Sequence, residues 1–309
     1  MHKLLGTVVL ATMTALTSCS GGAGDGPAGS DGGGTGNDGA MVAPWQPLIS
    51  GAWSLDVGRE SHICVRKTLA EDVFVSAFHP IIPNGTHHTV LTITDGSQPD
   101  GIGPCGGTMD GPTMIFGTGI GTEDLIFPEG IAVKLLAGQQ INMNLHLYNV
   151  TGARLTGTSG VEVRTTTADK ITAEAEALLA GKVVGLTVAP GTTMQTGTCT
   201  MRAAVTLFAV GPHMHKYGSH LKATVIPAAG GTGPVLFDKD YSFDSQKLDM
   251  LTPQVALQNG DRVQVDCTYT NQTANTVGWG NSSDEEMCFA TLYRYPAQPA
   301  GPTGLGCIF

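Results

Sequence analysis

The chain has 309 residues, a formal net charge of −10 and only 14% charged residues against 41% hydrophobic ones. No basic block exists that could track a phosphate backbone, so nucleic acid is not expected as a partner.

Met1-His2-Lys3 precedes the apolar run Leu4 to Leu16, which leads into Thr17-Ser18-Cys19. The run is too short for a permanent membrane span, and small residues stand before the cysteine, so residues 1–18 are predicted to be a signal peptide. The ending resembles a bacterial lipobox, which implies diacylation of Cys19. Ser20 at the next position points, by the same resemblance, to the outer membrane, on its periplasmic or its cell-surface side. The alternative is a plain secretory signal with Cys19 merely nearby. Residues 19–44 are dominated by Gly, Ala, Ser, Asp, Thr and Asn, a composition that buries too little apolar surface to fold, and they are expected to form a flexible tether.

The rest reads as short strands punctuated by Gly, Pro, Asn and Asp. Asp72 to Phe78, Thr89 to Thr94, Gln140 to Leu147 and Val161 to Arg164 alternate or run β-branched, and the texture resumes in Arg202 to Val210, Leu221 to Ile226, Arg262 to Thr270 and Cys288 to Tyr295. This is an all-β pattern with no fixed-period repeat, and strand spacing favours sandwiches. One stretch, Ala168 to Gly181, is rich in helix formers and ends at a glycine. As a short helix or extended linker, residues 168–181 would separate an N-terminal sandwich, 45–167, from a C-terminal one, 182–309. A surface helix inside one large domain is the other reading of the same stretch.

Setting Cys19 aside leaves Cys64, Cys105, Cys199, Cys267, Cys288 and Cys307. An even number in an exported chain points to disulfides, with the pairing open, and the absence of any CxxC argues against thiolate metal ligation.

Three groups of possible metal ligands stand out: His87-His88, His146 and His213-Met214-His215. Residues two apart on a strand share a face, so His213 and His215 can converge on one ion. His87 and His88 would diverge on a regular strand, and sharing an ion requires a strand end or a bulge, for which Pro83-Asn84-Gly85 provides the turn. Imidazoles without hard oxygen ligands suit zinc, copper, iron or nickel, and a thioether from Met287 would favour Cu(I). Each piece has a plainer explanation, His146 as a hydrogen-bonded structural histidine and Met287 as core. His62, His79 and His220 have no partner at ligand spacing and are expected to be structural, and Trp45, Trp53 and Trp279 to be core or rim.

In order and spacing, His87-His88, His146, His213-Met214-His215 and Met287-Cys288 resemble the copper type II, ascorbate-dependent monooxygenases, the family of peptidylglycine α-hydroxylating monooxygenase and dopamine β-monooxygenase. The resemblance implies two tandem jelly-roll-type antiparallel β-sandwich domains facing each other across a solvent-filled cleft, each with one copper ion. His87, His88 and His146 would hold the electron-transfer copper. His213, His215 and Met287 would hold the catalytic one, with dioxygen and a reductant such as ascorbate as partners. It also implies the disulfides Cys64–Cys105, Cys199–Cys307 and Cys267–Cys288. The peptide enzymes carry an arginine two residues before the HxH that grips a substrate carboxylate, and Gly211 stands there in this chain. Their Asn and Tyr after the Met ligand are represented by Phe289 and Thr291, so a peptide ending in glycine is not the expected substrate. A lipid-anchored copper-binding or copper-delivery protein without catalysis is the competing expectation. It has no need of two differently built sites.

Overall fold

A computed structural model describes residues 43–105, 111, 113–298 and 306–308. The expected signal peptide, Cys19 and nearly all of the tether lie outside the described residues.

Strand-forming sequence becomes four principal sheets. In the N-terminal half, one sheet runs in the order Gln46–Leu55, Leu155–Thr165, Val73–Ile81, Ile131–Leu135 and Ala173–Glu174, with Leu125–Ile126 beside Val73–Ile81. The facing sheet runs Gly101–Pro104, Glu60–Thr68, Gln140–Tyr148, Thr86–Thr94 and Thr113–Gly119. In the C-terminal half, Asp249–Leu257, Val205–His213, Cys288–Tyr295, Glu176–Lys182 and Gly306–Ile308 form one sheet. Gly191–Thr200, Arg262–Asn271, Gly218–Ile226 and Val235–Asp240 form the other. Pairing is antiparallel except where Ala173–Glu174 joins Ile131–Leu135 and where Glu176–Lys182 joins Gly306–Ile308. No helix among the described residues is long and apolar enough to cross a membrane.

Alternation explains which face of each strand is buried. Leu91, Phe116, Met143 and Leu145 point into the N-terminal core with Phe78 and Val161 from the facing sheet. Leu207, Leu221, Val263, Val265 and Leu292 build the C-terminal core. The second core has a narrow point: Gly181 and Gly197 come so close across the two sheets that a Cβ on Gly197 would overlap the Gly181 backbone. Any side chain there would force the sheets apart.

The helix formers of 168–181 do not build an α-helix. Ala168–Lys170 is a 3-10 turn with no buried residue, and beyond it the chain returns to strand, Ala173–Glu174 in the N-terminal half and Glu176–Lys182 in the C-terminal half. Edge pairing satisfies more backbone here than an isolated turn could, and tertiary context overrides propensity. The two halves meet closely. Phe208 and Tyr293 of the C-terminal half belong to the N-terminal core, Phe208 lies edge-on to Phe127 at 5.2 Å, and the Tyr293 hydroxyl accepts from the Gly117 N–H at 3.0 Å. An apolar seam thus joins the two halves where these aromatic side chains meet.

Two disulfides, Cys64–Cys105 and Cys267–Cys288, pair as the resemblance implies, the second stapling the two C-terminal sheets beside Met287. Cys199 is also disulfide-bonded, and the side chain of its expected partner Cys307 lies outside the described residues.

Replacing Gly197 by Ala is expected to cost about 1–3 kcal/mol by overpacking, measured as a lowered urea midpoint. An unchanged midpoint would show that the sheets can separate there without cost.

Candidate metal centres

The first cluster begins at a turn. Thr86 N–H donates to the Pro83 carbonyl at 2.9 Å, and Gly85 takes φ 100°, a left-handed value suited to glycine. Immediately after it, the pairing with Gln140–Tyr148 shifts register between Thr86 and His88. This irregularity lets adjacent histidines serve one point. His88 lies directly opposite His146, which in turn lies opposite His62 on the next strand, so three imidazoles form a row across the sheet.

The three nitrogens of His87, His88 and His146 converge. His88 Nδ1 lies 3.2 Å from His87 Nδ1 and 3.2 Å from His146 Nδ1, and a single ligand atom from each lies within 4.8 Å of the others. The far side of two rings fixes their tautomers. His87 Nε2 donates to the Phe243 carbonyl at 3.0 Å, and His146 Nε2 donates to Glu60 Oε1 at 2.7 Å. A neutral imidazole has one N–H, so both Nδ1 atoms turn bare lone pairs toward His88, which can donate to only one of them. Nitrogens around a tetrahedral ion at about 2.0 Å would be about 3.3 Å apart. The donor set fits a metal ion better than it fits any hydrogen-bond pattern.

The second cluster lies where strand Val205–His213 ends. His213 is its last residue and His215 falls in the turn beyond it. Their rings stand perpendicular at 5.3 Å, so they come together at a strand end and not along a regular strand. His213 Nδ1 donates to Gln246 Oε1 at 2.8 Å, and His215 Nδ1 donates to the Glu285 carbonyl at 3.0 Å. Both Nε2 atoms are thereby left as lone pairs. That of His215 is buried with no hydrogen-bond partner, the condition of a nitrogen built to meet an electron-pair acceptor. Met287 is buried in an apolar cluster with Met114, Leu179 and Phe289 and lines the same cavity as His213.

The clusters adjoin. The His88 and His213 rings are 5.2 Å apart, and Phe243 stacks on His87 at 3.7 Å while meeting His215 edge-on at 6.3 Å. One loop of the C-terminal half holds both, through Phe243 and Gln246, and it is tied to the N-terminal half by Gln246 N–H to the Ile120 carbonyl at 2.9 Å.

Glu60 and Glu286, which sequence reasoning passed over, belong here, and so does His62, which was expected to have no partner at ligand spacing. His62 stacks on His146 at 4.4 Å, and Glu60, His62 and His146 form a second group with ligand atoms mutually within 4.8 Å. The alternation Glu60-Ser61-His62, two polar groups on one strand face, was the available signal. Glu60 Oε1 also accepts from Ser283 N–H at 3.0 Å, tying the first cluster to the loop before Met287. Glu286 is fully buried and accepts from the N–H groups of His215, Tyr217 and Met287 at 2.9, 2.7 and 3.2 Å, so one carboxylate fixes the HxH turn against the Met segment. By contrast His79 pairs with Asp124, and His220 with Asp238 and Asp240, away from both clusters.

Burial governs protonation. Desolvation, reinforced by neighbouring imidazoles, lowers His87 to about 3, His215 to about 3 and His88 well below the ordinary range. Desolvation likewise takes His213 to about 4, against the hydrogen bond to Gln246. Burial alone would raise Glu60, but hydrogen bonds from His146 and Ser283 outweigh it and bring the group to about 2. Burial holds Glu286 at about 7 despite its backbone donors. Neutral imidazoles are the form that binds metals.

Two predictions come from this arrangement. The unfolded chain takes up protons below about 6.5 that four buried histidines refuse. Metal-free protein should therefore keep its full stability above that pH and lose it as pH falls toward 4, by up to ~1.4 kcal/mol per pH unit for each histidine. Glu286 opposes one of the four between about 4.5 and 7. Urea midpoints at pH 7 and pH 5 check this, and equal values would refute it. Glu286→Ala leaves three backbone donors without an acceptor and should cost about 2–4 kcal/mol; a loss below 1 kcal/mol in the same assay would deny the carboxylate its bracing role.

Comparison with known proteins bears on the C-terminal half first. Residues 175–301 match the family described as copper type II ascorbate-dependent monooxygenase, C-terminal domain. Tyramine beta-hydroxylase of Caenorhabditis briggsae is 32% identical over 94 residues, 30% of this chain and 16% of that protein. MOXD1 homolog 1 of Drosophila melanogaster is 27% identical over 85 residues, 27% of this chain and 12% of that protein. The chain thus aligns with less than a fifth of the length of either relative. Among solved structures, that of infectious bursal disease virus Gx strain overlays with a TM-score of 0.24 at 10% identity, covering 86% of this chain and 75% of that one. The crystal structure of the infectious bursal disease virus VP2 subviral particle gives 0.20 at 10%, covering 85% and 75%. Overlays this loose carry no inference. Residues 175–301 are thus similar to the C-terminal domain of the copper type II, ascorbate-dependent monooxygenases, and the two relatives match over segments of 85 and 94 residues.

Proposed function

We propose that the protein is a copper-dependent monooxygenase that hydroxylates a C–H bond of a small substrate, using dioxygen and a reductant such as ascorbate. The observation that carries this reading is a cluster of three imidazoles adjoined by the pair His213 and His215, with His88, His213 and Met287 lining one cavity. Two copper ions are part of the proposal. His87, His88 and His146 would hold one through their Nδ1 atoms, and His213 and His215 would hold the other through Nε2, with Met287. Copper, when bound, supplies one-electron redox chemistry and activation of dioxygen, and a thioether favours its Cu(I) form. In the net reaction one oxygen atom enters the C–H bond and the other leaves as water, taking two protons and two electrons from the reductant.

The protein's own work is positioning and exclusion of water. The Gln246 amide and the Glu285 carbonyl fix the His213 and His215 rings so that Nε2 faces inward. Glu286 fixes the turn that carries His215 against the backbone of Met287. Met114, Leu179 and Phe289 surround Met287 with apolar surface, which shields a reactive centre from proton leakage. Export through residues 1–18 and lipid anchoring at Cys19 to the outer membrane belong to the same proposal and rest on the N-terminal sequence alone.

The test is copper content and dioxygen uptake of the whole chain, compared with a His213→Ala, His215→Ala double variant. The double variant should lose one of the copper equivalents that the wild type holds, together with the sulfur scatterer seen by X-ray absorption of the Cu(I) form. Reductant-driven dioxygen uptake should fall by at least about a hundredfold, the scale of losing a positioned catalytic group. Unchanged copper content in the variant, or a fully loaded wild type that never consumes dioxygen, would overturn the proposal.

A further inference from the structure

We propose that the cavity between the two halves binds a neutral, apolar molecule and discriminates against both carboxylate-bearing and ammonium-bearing ones. The molecule's role as substrate rests on the monooxygenase reading; the binding chemistry is set by the cavity's own walls.

The cavity has a volume of about 530 Å³, within the range that encloses a small organic molecule. Its two walls are sheet faces. Val90, Met114 and Gly117 come from the N-terminal half, and Leu179, Phe289 and Thr291 from the C-terminal half, with His88 and His213 at the junction. Among the described residues that line it there is no Asp, Glu, Lys or Arg.

The Thr89 and Thr118 hydroxyls, which line the cavity, are buried without a hydrogen-bond partner and can offer a ligand only uncharged polar atoms, while other polar groups are committed to the protein. The Gln246 carboxamide accepts from His213 and donates to the Phe243 carbonyl at 3.3 Å, and the Thr122 hydroxyl donates to the Gln246 carbonyl at 3.1 Å. Glu286, next in sequence to the lining residue Met287, is held by backbone N–H groups. An ionic ligand would lose its hydration and find no counter-ion, whereas an apolar one would replace water against Met, Leu and Phe side chains.

Gly211 gives the inference a handle. It is opposite Thr291 in the ladder and two residues before His213, so it shares their face. A Cβ built on it would meet only Leu248, at 3.7–3.9 Å, which is ordinary contact. A longer side chain at this position would add its terminal group to the cavity wall.

The experiment uses three probes of one shape and different charge: phenylpropanol, phenylpropionate and phenylpropylamine. Their binding to the full chain is measured by titration calorimetry at pH 7, with and without copper. Phenylpropanol should bind at least about tenfold more tightly than either ion. Gly211→Arg should invert the order, phenylpropionate gaining at least about tenfold over phenylpropanol through a charge-assisted bond. Either ion binding wild type as tightly as the alcohol, or no saturable binding of any probe, would overturn the inference. Neutral preference in a chain that never takes up dioxygen would leave the binding inference standing and remove the monooxygenase reading. Dioxygen uptake without neutral preference would do the reverse.

Discussion

The site depends on a constraint that every buried neutral imidazole obeys: it has one N–H to place and one lone pair to present. In His87, His146, His213 and His215 the N–H is placed outward, on Phe243 O, Glu60, Gln246 and Glu285 O respectively. Each outward bond determines what the inner nitrogen can do. The lone pairs then gather in two places, and burial keeps protons off His87, His213 and His215. Were the outer partners donors instead, the same four histidines in the same fold would present N–H groups to each other and could hold no metal.

Those outer partners tie distant parts of the chain together. Phe243 and Gln246 come from one loop of the C-terminal half, yet the first serves His87 and the second His213. Glu60, from the N-terminal half, accepts from both His146 and the loop that leads to Met287. The two clusters are therefore cross-braced, each held partly by the half of the chain that does not carry it. Proximity of His88 to His213 results from this bracing together with the apolar seam around Phe208 and Tyr293.

Much of this was legible in the sequence because it is local. Strand Cys288–Tyr295 coincides with its expected span, and most other expected strands shift by a few residues at their ends. Val161 to Arg164, however, is only part of Leu155–Thr165, and strands such as Gln46–Leu55, Gly191–Thr200 and Asp249–Leu257 were not expected. The need for an irregularity at His87-His88 could be deduced from strand parity, and the register shift after Gly85 supplies it. What could not be read was whatever depends on pairing between remote strands. Nothing near His62 in sequence says that His146 will lie across from it, and nothing near Glu286 says that its carboxylate will receive the backbone of residues 215 and 217. The segment 168–181 misled for the same reason: its composition is helical, but its neighbours offer it sheet edges.

The seam also bears on what counts as a unit in this protein. The family match starts at residue 175, one residue before strand Glu176–Lys182, which suggests a module that could be cut out and moved. Yet Ala175, Phe208, Ala209 and Tyr293, all inside the matched region, spend their apolar surface on the other half's core. Excised, such a fragment would carry an exposed aromatic face, with about 1.5–3 kcal/mol of burial forfeited at each large side chain. The stretch that evolution keeps recognisable and the stretch that can stand as an independent body are different stretches, and gene fusions or shuffled chains built at residue 175 would inherit a sticky surface along with the histidines.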